Sequence, residues 1–195
     1  MQIQAIFIHG LGNTSDWWSP FLPSIEELGI TPRFPDLPTI GPSLPDDWLK
    51  AVQNTVDSHD GPTVLIGHSL GASTAVLGAC TRKVGNIFLL ALPVYSPGII
   101  PSAPTHAALS QSEGAAVARF VIKAQRRIEK VPCPAYFFIG EHDEIISSEY
   151  ADSIIDNLHI IKNADHDLAS SADSVSAVGE TVAAACSELL GPPSN

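Results

Sequence analysis

Basic side chains are scarce in this sequence. Lys and Arg total 10 against 21 Asp and Glu, a formal net charge of -11. Such a surface repels nucleic-acid phosphates and anionic membranes, so no nucleic-acid and no membrane partner is expected. Five of the ten cations, Arg119, Lys123, Arg126, Arg127 and Lys130, fall in one short stretch with Glu129 beside them, the pattern of a solvated helix face. Cysteine is equally sparse. Cys80, Cys133 and Cys186 form no close-spaced pair, which does not suggest a disulfide framework and fits a reducing compartment. No apolar run approaches the ~20 residues that cross a membrane, and the first residues lack the basic and apolar segments of a signal peptide. A soluble cytoplasmic protein is the expectation. Internal repeats and composition breaks are absent too, so residues 1–195 read as one domain around one core.

What the sequence does contain is apolar runs alternating with helical patterns. Gln2 to Ile8 ends in an apolar run stopped by His9-Gly10-Leu11-Gly12, as a buried strand stopped by a glycine loop would. Trp17, Phe21, Ile25 and Leu28 then share one helical face, with Ser19 before Pro20 marking the start. A short extended piece lies near Ile30 to Phe34. Trp48, Leu49, Val52 and Val56 follow at helical spacing, with Ser43 and Asp46 resembling a cap. Further strands are expected at Thr63 to Ile66, Asn86 to Leu92, Pro134 to Ile139 and, shorter, His159 to Lys162, and a small-residue helix at Ala72 to Thr81. The last helix carries Leu168, Val175, Val178, Val182 and Leu189 inward and ends at Gly191-Pro192. Strands alternating with helices imply an α/β fold: a mostly parallel sheet of about six strands with helices on both faces. The connection from residue 93 to 131, helical from Ser112 to about Ile128, is long enough to act as a short lid-like insertion.

One turn carries a chemical signature. Gly67-His68-Ser69-Leu70-Gly71 matches Gly-x-Ser-x-Gly between an apolar strand and a helix, where the serine hydroxyl is exposed on a strained turn. The plainer reading makes Ser69 a helix cap. Acyl transfer needs two preorganised N–H donors for its oxyanion, each contributing ~3 to 4 kcal/mol. The Leu70 N–H at the helix start and the Leu11 N–H in the first glycine loop are the candidates. His9 closes a strand and is expected to hydrogen-bond locally. It counts with Gly10, Trp17, Trp18, His68 and Tyr95 among the candidate pocket residues, and Ile99 and Ile100 share the pocket-forming segment.

A general base should follow the last strand at the same sheet edge. His166, in Asn163-Ala164-Asp165-His166-Asp167, fits best, with His142 and His159 as alternatives. The carboxylate that orients it should end a neighbouring strand. Asp143 stands there in Ile139-Gly140-Glu141-His142-Asp143, flanked by Glu141 and Glu144. The chain order Ser69, Asp143, His166 is the one this arrangement requires.

On these motifs, together with Ile6-Phe7-Ile8-His9-Gly10 and Trp17-Trp18, the chain resembles the alpha/beta-hydrolase superfamily over nearly its whole length. It looks most like a small lidless branch that includes a retinoblastoma-binding serine hydrolase of animals and similar bacterial proteins. The resemblance implies a three-layer fold, a Ser69-Asp143-His166 triad, no cofactor, no metal, and acyl-enzyme chemistry on a small ester, thioester or amide. It also implies that the chain starts at the equivalent of the family's third strand, without the usual leading hairpin. The expected partner is a small-molecule ester-type substrate, and the expected state a monomer or weak homodimer. A non-catalytic binding module, a carbon-carbon hydrolase and a cofactor-free oxygen-using enzyme are the rival functions on this scaffold.

Overall fold

The computed structural model describes residues 2–38, 44–95, 110–146, 151–153, 155–156 and 158–190. Among these, β1 (Gln4–Ile8), β2 (Thr31–Arg33), β3 (Thr63–His68), β4 (Asn86–Leu90), β5 (Ala135–Gly140) and β6 (Leu158–Ile161) form one sheet in the order β2-β1-β3-β4-β5-β6. Every pairing is parallel. The central strands β1, β3 and β4 are buried along their full length, which is why they read as unbroken apolar runs. The edge strands β2 and β6 are partly exposed.

Helices cover both faces. On one, α2 (Leu44–Asp57), α3 (Leu70–Ala79) and α4 (Gln111–Gln125) pack against each other, with α3 lying directly on β3, β4 and β1. All ten residues of α3 are buried, and only its run of small side chains lets it sit that close to the sheet. On the other face α1 (Leu22–Glu27) packs against α5 (Ala172–Leu190). No helix among the described residues is long and apolar enough to cross a membrane. The three cysteines are free thiols, and burial pushes Cys133 and Cys186 up to about 11, so both stay protonated near neutrality.

Several boundaries differ from those the sequence suggests. Trp17 to Leu28 is not one helix: a 3-10 turn, Ser15–Trp18, precedes α1. Pro20 cannot supply a helical N–H, whereas Pro23 is tolerated in the first turn of α1. Ser19 therefore starts no helix; its hydroxyl donates back to the Asp16 carbonyl at 2.7 Å. Leu28 points outward, 40% exposed. Strand β4 stops at Leu90 because Ala91 adopts a left-handed backbone, φ 47°. Leu168 lies in its own 3-10 turn before α5, and Asp46 falls in the first turn of α2. Ser43 and Gly191-Pro192 lie outside the described residues.

Within the 93–131 connection, α4 is packed into the domain. In α4, Val117, Phe120, Val121 and Ala124 are buried against the α2 and α3 side of the domain. The helix starts with a capping box, Glu113 N–H to Ser110 Oγ and Ser110 N–H to the Glu113 carboxylate, which sets where the helix begins. Residues 96–109 of that connection, including Ile99 and Ile100, lie outside the described residues.

Two consequences are measurable. A Cβ on Gly71 would lie 2.0 Å from the Ile8 carbonyl oxygen, so Gly71→Ala should destabilise the fold by about 3 kcal/mol in urea titration. His68, 3% exposed at the end of β3, is pushed down to about 3 by burial and by the adjacent His166. The unfolded chain, with an ordinary imidazole, binds that proton at higher pH. Stability from His68 is therefore present above the unfolded value and lost as pH falls below it. From pH 7 to pH 5 this group alone should remove on the order of 2 kcal/mol, so a His68→Phe variant should show a visibly flatter dependence of urea midpoint on pH.

Candidate active site

The turn between β3 and α3 is strained at one residue. Ser69 has φ 53° and ψ -117°, a left-handed backbone that a non-glycine residue adopts at a cost of about 1 to 2 kcal/mol. It is held there from both sides. Its N–H donates to the Leu90 carbonyl at the end of β4, 2.9 Å, and its own carbonyl accepts from the Ala72 and Ser73 N–H groups of α3. The flanking glycines permit the closeness: a Cβ on Gly67 would lie 2.4 Å from the Gly71 carbonyl oxygen. The Ser69 side chain makes no capping bond to α3, so the helix-cap reading of this serine does not describe it. Ser69 is half-buried at the carboxyl edge of the sheet.

Two strands away, the chain leaving β5 and the chain leaving β6 are laced together. Glu141 N–H bonds the Ile161 carbonyl at 2.9 Å and His142 N–H the Ala164 carbonyl at 2.8 Å. Only a glycine fits at position 140, where a Cβ would lie 2.3 Å from the Asp165 carbonyl oxygen. This lacing brings Asp143 to His166. The Asp143 side chain is wholly buried, and its Oδ2 accepts from His166 Nδ1 at 2.8 Å. Its Oδ1 accepts from the Ile145 and Ile146 N–H groups at 2.9 and 2.8 Å. Both carboxylate oxygens are thus engaged, the Nδ1–H tautomer of His166 is selected, and Nε2 is left as the basic edge. Ser69 Oγ and His166 Nε2 are not hydrogen-bonded to each other in this structure; the ring of His68, the residue before the serine, has its centroid 5.1 Å from that of His166.

The competing acids and bases are turned elsewhere. Glu141 Oε2 accepts from the Asn163 N–H at 3.1 Å, Glu144 is exposed, and the His142 side chain is 65% exposed. His159 lies on the edge strand with its ring stacked on Phe138 at 5.0 Å.

On the other side of Ser69 runs the loop after β1. A Cβ on Gly10 would come within 3.2 Å of the Ser69 Cβ, so this loop borders the serine directly. Neither the Leu11 N–H nor the Leu70 N–H donates to any group among the described residues. Both are unspent donors beside the serine. His9 is 7% exposed; its Nδ1 bonds the Gly10 carbonyl at 2.9 Å, its ring meets the face of Trp48, and burial lowers its pKa. It shapes the loop.

The remaining candidate pocket residues divide. Trp18 is 0% exposed and packs edge-on against Phe7 and Phe21; it is a core residue and walls no open pocket. Trp17 lies flat on the His68 ring, centroids 4.1 Å apart, and donates its indole N–H to Asp167 Oδ1 at 2.7 Å. Tyr95 is tied to α4 through paired 3.0 Å bonds between its backbone and the Gln125 side-chain amide. Sequence reasoning missed the partnerships of Gln125, Asp167 and the His166 carbonyl, since contacts across 30 to 150 residues leave no local pattern. Cavities of about 240 and 90 Å³ lie between α2 and α4 and beside α5, and neither includes a residue of the Ser69 centre.

No curated protein sequence matches this chain significantly. Its fold is similar to that of a monoacylglycerol lipase from Paleococcus ferrophilus, with TM-score 0.76, 16% identity, and 93% of this chain and 92% of that one covered. It is similar to a putative lipase from Acinetobacter baumannii, with TM-score 0.71, 16% identity and coverage of 96% and 85%. A putative hydrolase of the alpha/beta superfamily from Xanthomonas campestris aligns with TM-score 0.64, 21% identity and coverage of 95% and 99%. At such identities the likeness is one of fold. The sequence itself matches the model of the alpha/beta hydrolase family over residues 5–124, which include the loop after β1 and the whole Ser69 turn. By that match, over more than half its length, this chain belongs to the alpha/beta hydrolase family.

Proposed function

We propose that the chain is a serine hydrolase that cleaves a small ester or thioester through an acyl-enzyme on Ser69. The observation that carries this reading is the 2.8 Å bond from His166 Nδ1 to a fully buried Asp143 carboxylate, at the same sheet edge as a serine on a left-handed turn. In this reading His166 Nε2 takes the Ser69 hydroxyl proton as Oγ bonds to the carbonyl carbon. The developing oxyanion is held by the Leu70 and Leu11 N–H groups. As the tetrahedral adduct collapses, the bond to the leaving group breaks and the proton on Nε2 passes to it. Water then attacks acyl-Ser69, giving its proton to Nε2, and the carboxylic acid leaves as the Ser69 hydroxyl is restored. The role of Asp143 is to hold the tautomer and favour the imidazolium formed at each step. Of the structures similar in fold, one is a monoacylglycerol lipase and another a putative lipase, which supports an ester as the substrate class.

Purified variants assayed on p-nitrophenyl acetate test this. Ser69→Ala and His166→Ala should each lower kcat/KM by about 10⁴-fold or more while remaining folded. Asp143→Asn, which no longer selects the Nδ1–H tautomer, should cost about 10⁴-fold in kcat. Retention of wild-type activity by Ser69→Ala would overturn the reading, and product analysis separates ester hydrolysis from carbon-carbon cleavage.

A further inference from the structure

We infer that His68 and Trp17 form a clamp that positions the base loop, with His68 acting on His166 through the main chain. The inference rests on the serine hydrolase reading and adds to it two residues outside the triad and the oxyanion donors.

His68 Nε2 lies 2.9 Å from the His166 carbonyl oxygen. A carbonyl only accepts, so Nε2 carries the hydrogen and Nδ1 is the bare nitrogen of the ring. That Nδ1 is buried and without a hydrogen-bond partner. It faces the Gly10 backbone, where a Cβ would lie 2.7 Å away. A leucine or phenylalanine would fill this buried site without an orphaned ring nitrogen, so packing does not account for a histidine here. The one hydrogen bond it makes does. That bond holds the peptide carbonyl of the base itself, the backbone from which the His166 imidazole projects.

Trp17 completes the clamp from the other side. Its ring is stacked on His68, and its indole N–H holds Asp167, the residue after the base. The loop after β1, the Ser69 turn and the loop after β6 are thereby joined by two hydrogen bonds and one aromatic stack. Without these, packing alone would fix His166 to the Ser69 side of the site, since among the described residues its one side-chain hydrogen bond runs to Asp143.

Charge fits the same role. The ionisable groups around His68 are His166, Asp143 and His9, and burial keeps its ring neutral near neutral pH. When His166 becomes an imidazolium, no second positive charge stands beside it to oppose the change.

The test compares His68→Phe, which keeps a flat ring under Trp17 and loses the N–H, with His68→Gln, whose amide can again donate. Kinetics on p-nitrophenyl acetate are followed against pH, with wild type and Ser69→Ala as references. For His68→Phe the clamp predicts a fall in kcat on the order of a hundredfold, typical of an ångström-scale misplacement. KM should be little changed, and the pH midpoint of kcat/KM should shift as the His166–Asp143 pair relaxes. His68→Gln should recover most of the loss. A folded His68→Phe with wild-type kcat and an unmoved pH midpoint would overturn the clamp while leaving the hydrolase reading intact. Wild type no more active than Ser69→Ala would instead remove the hydrolase reading, and the clamp with it. Should His68→Phe fail to fold, Trp17→Phe carries the same test: loss of the indole bond to Asp167 must lower kcat, and an unchanged kcat overturns the clamp.

Discussion

The parallel pairing of His68 with Leu90, Leu90 with Phe138 and Gly140 with Ile161 sets the carboxyl ends of four strands side by side. Each strand then releases its loop at the same edge. Ser69, Asp143 and His166 are 74 and 23 residues apart by position (143 minus 69, 166 minus 143), and this register is what brings their loops to one edge. If one of these strands ran the other way, its residue would lie at the opposite edge of the sheet, roughly 15 to 20 Å away for strands of this length. The glycines at 67, 71 and 140 serve that register, because backbone must pass against backbone where the loops turn.

Given that edge, the chemistry follows from how polar groups are spent. The buried Asp143 carboxylate uses both oxygens, two N–H groups on one and His166 on the other, which offsets the cost of removing a charge from water. The Leu11 and Leu70 N–H groups, by contrast, are left unspent. His68 stays neutral under Trp17 and lends one N–H to the base loop. In the proposed reading, these are the donors and the basic nitrogen that act on the Ser69 hydroxyl.

Much of this was legible in the sequence, for physical reasons. The buried strands of a parallel sheet are apolar on both faces, so β1, β3, β4 and β5 stand out as runs. The tight turn needs glycines at fixed offsets from Ser69, and each acid or base must follow a strand end, which singled out Asp143 and His166. What local pattern does not carry was misjudged. Trp17 and Trp18 are adjacent, yet one is core and the other reaches Asp167, a difference set by the 3-10 turn that Pro20 terminates. In the 93 to 131 connection, the described helix α4 buries Val117, Phe120, Val121 and Ala124. Its capping box is present in the sequence as Ser110-x-x-Glu113. The bond from His68 to the His166 carbonyl spans 98 residues and leaves no spacing to read.

The central claim is that Ser69 is an activated nucleophile. Reaction of the folded protein with a fluorophosphonate, followed by intact mass and peptide mapping, tests it most directly because no substrate need be known. The account predicts a single adduct, mapped to Ser69 and absent from Ser69→Ala. An unmodified wild-type protein, or an adduct on another residue that persists in Ser69→Ala, would contradict it.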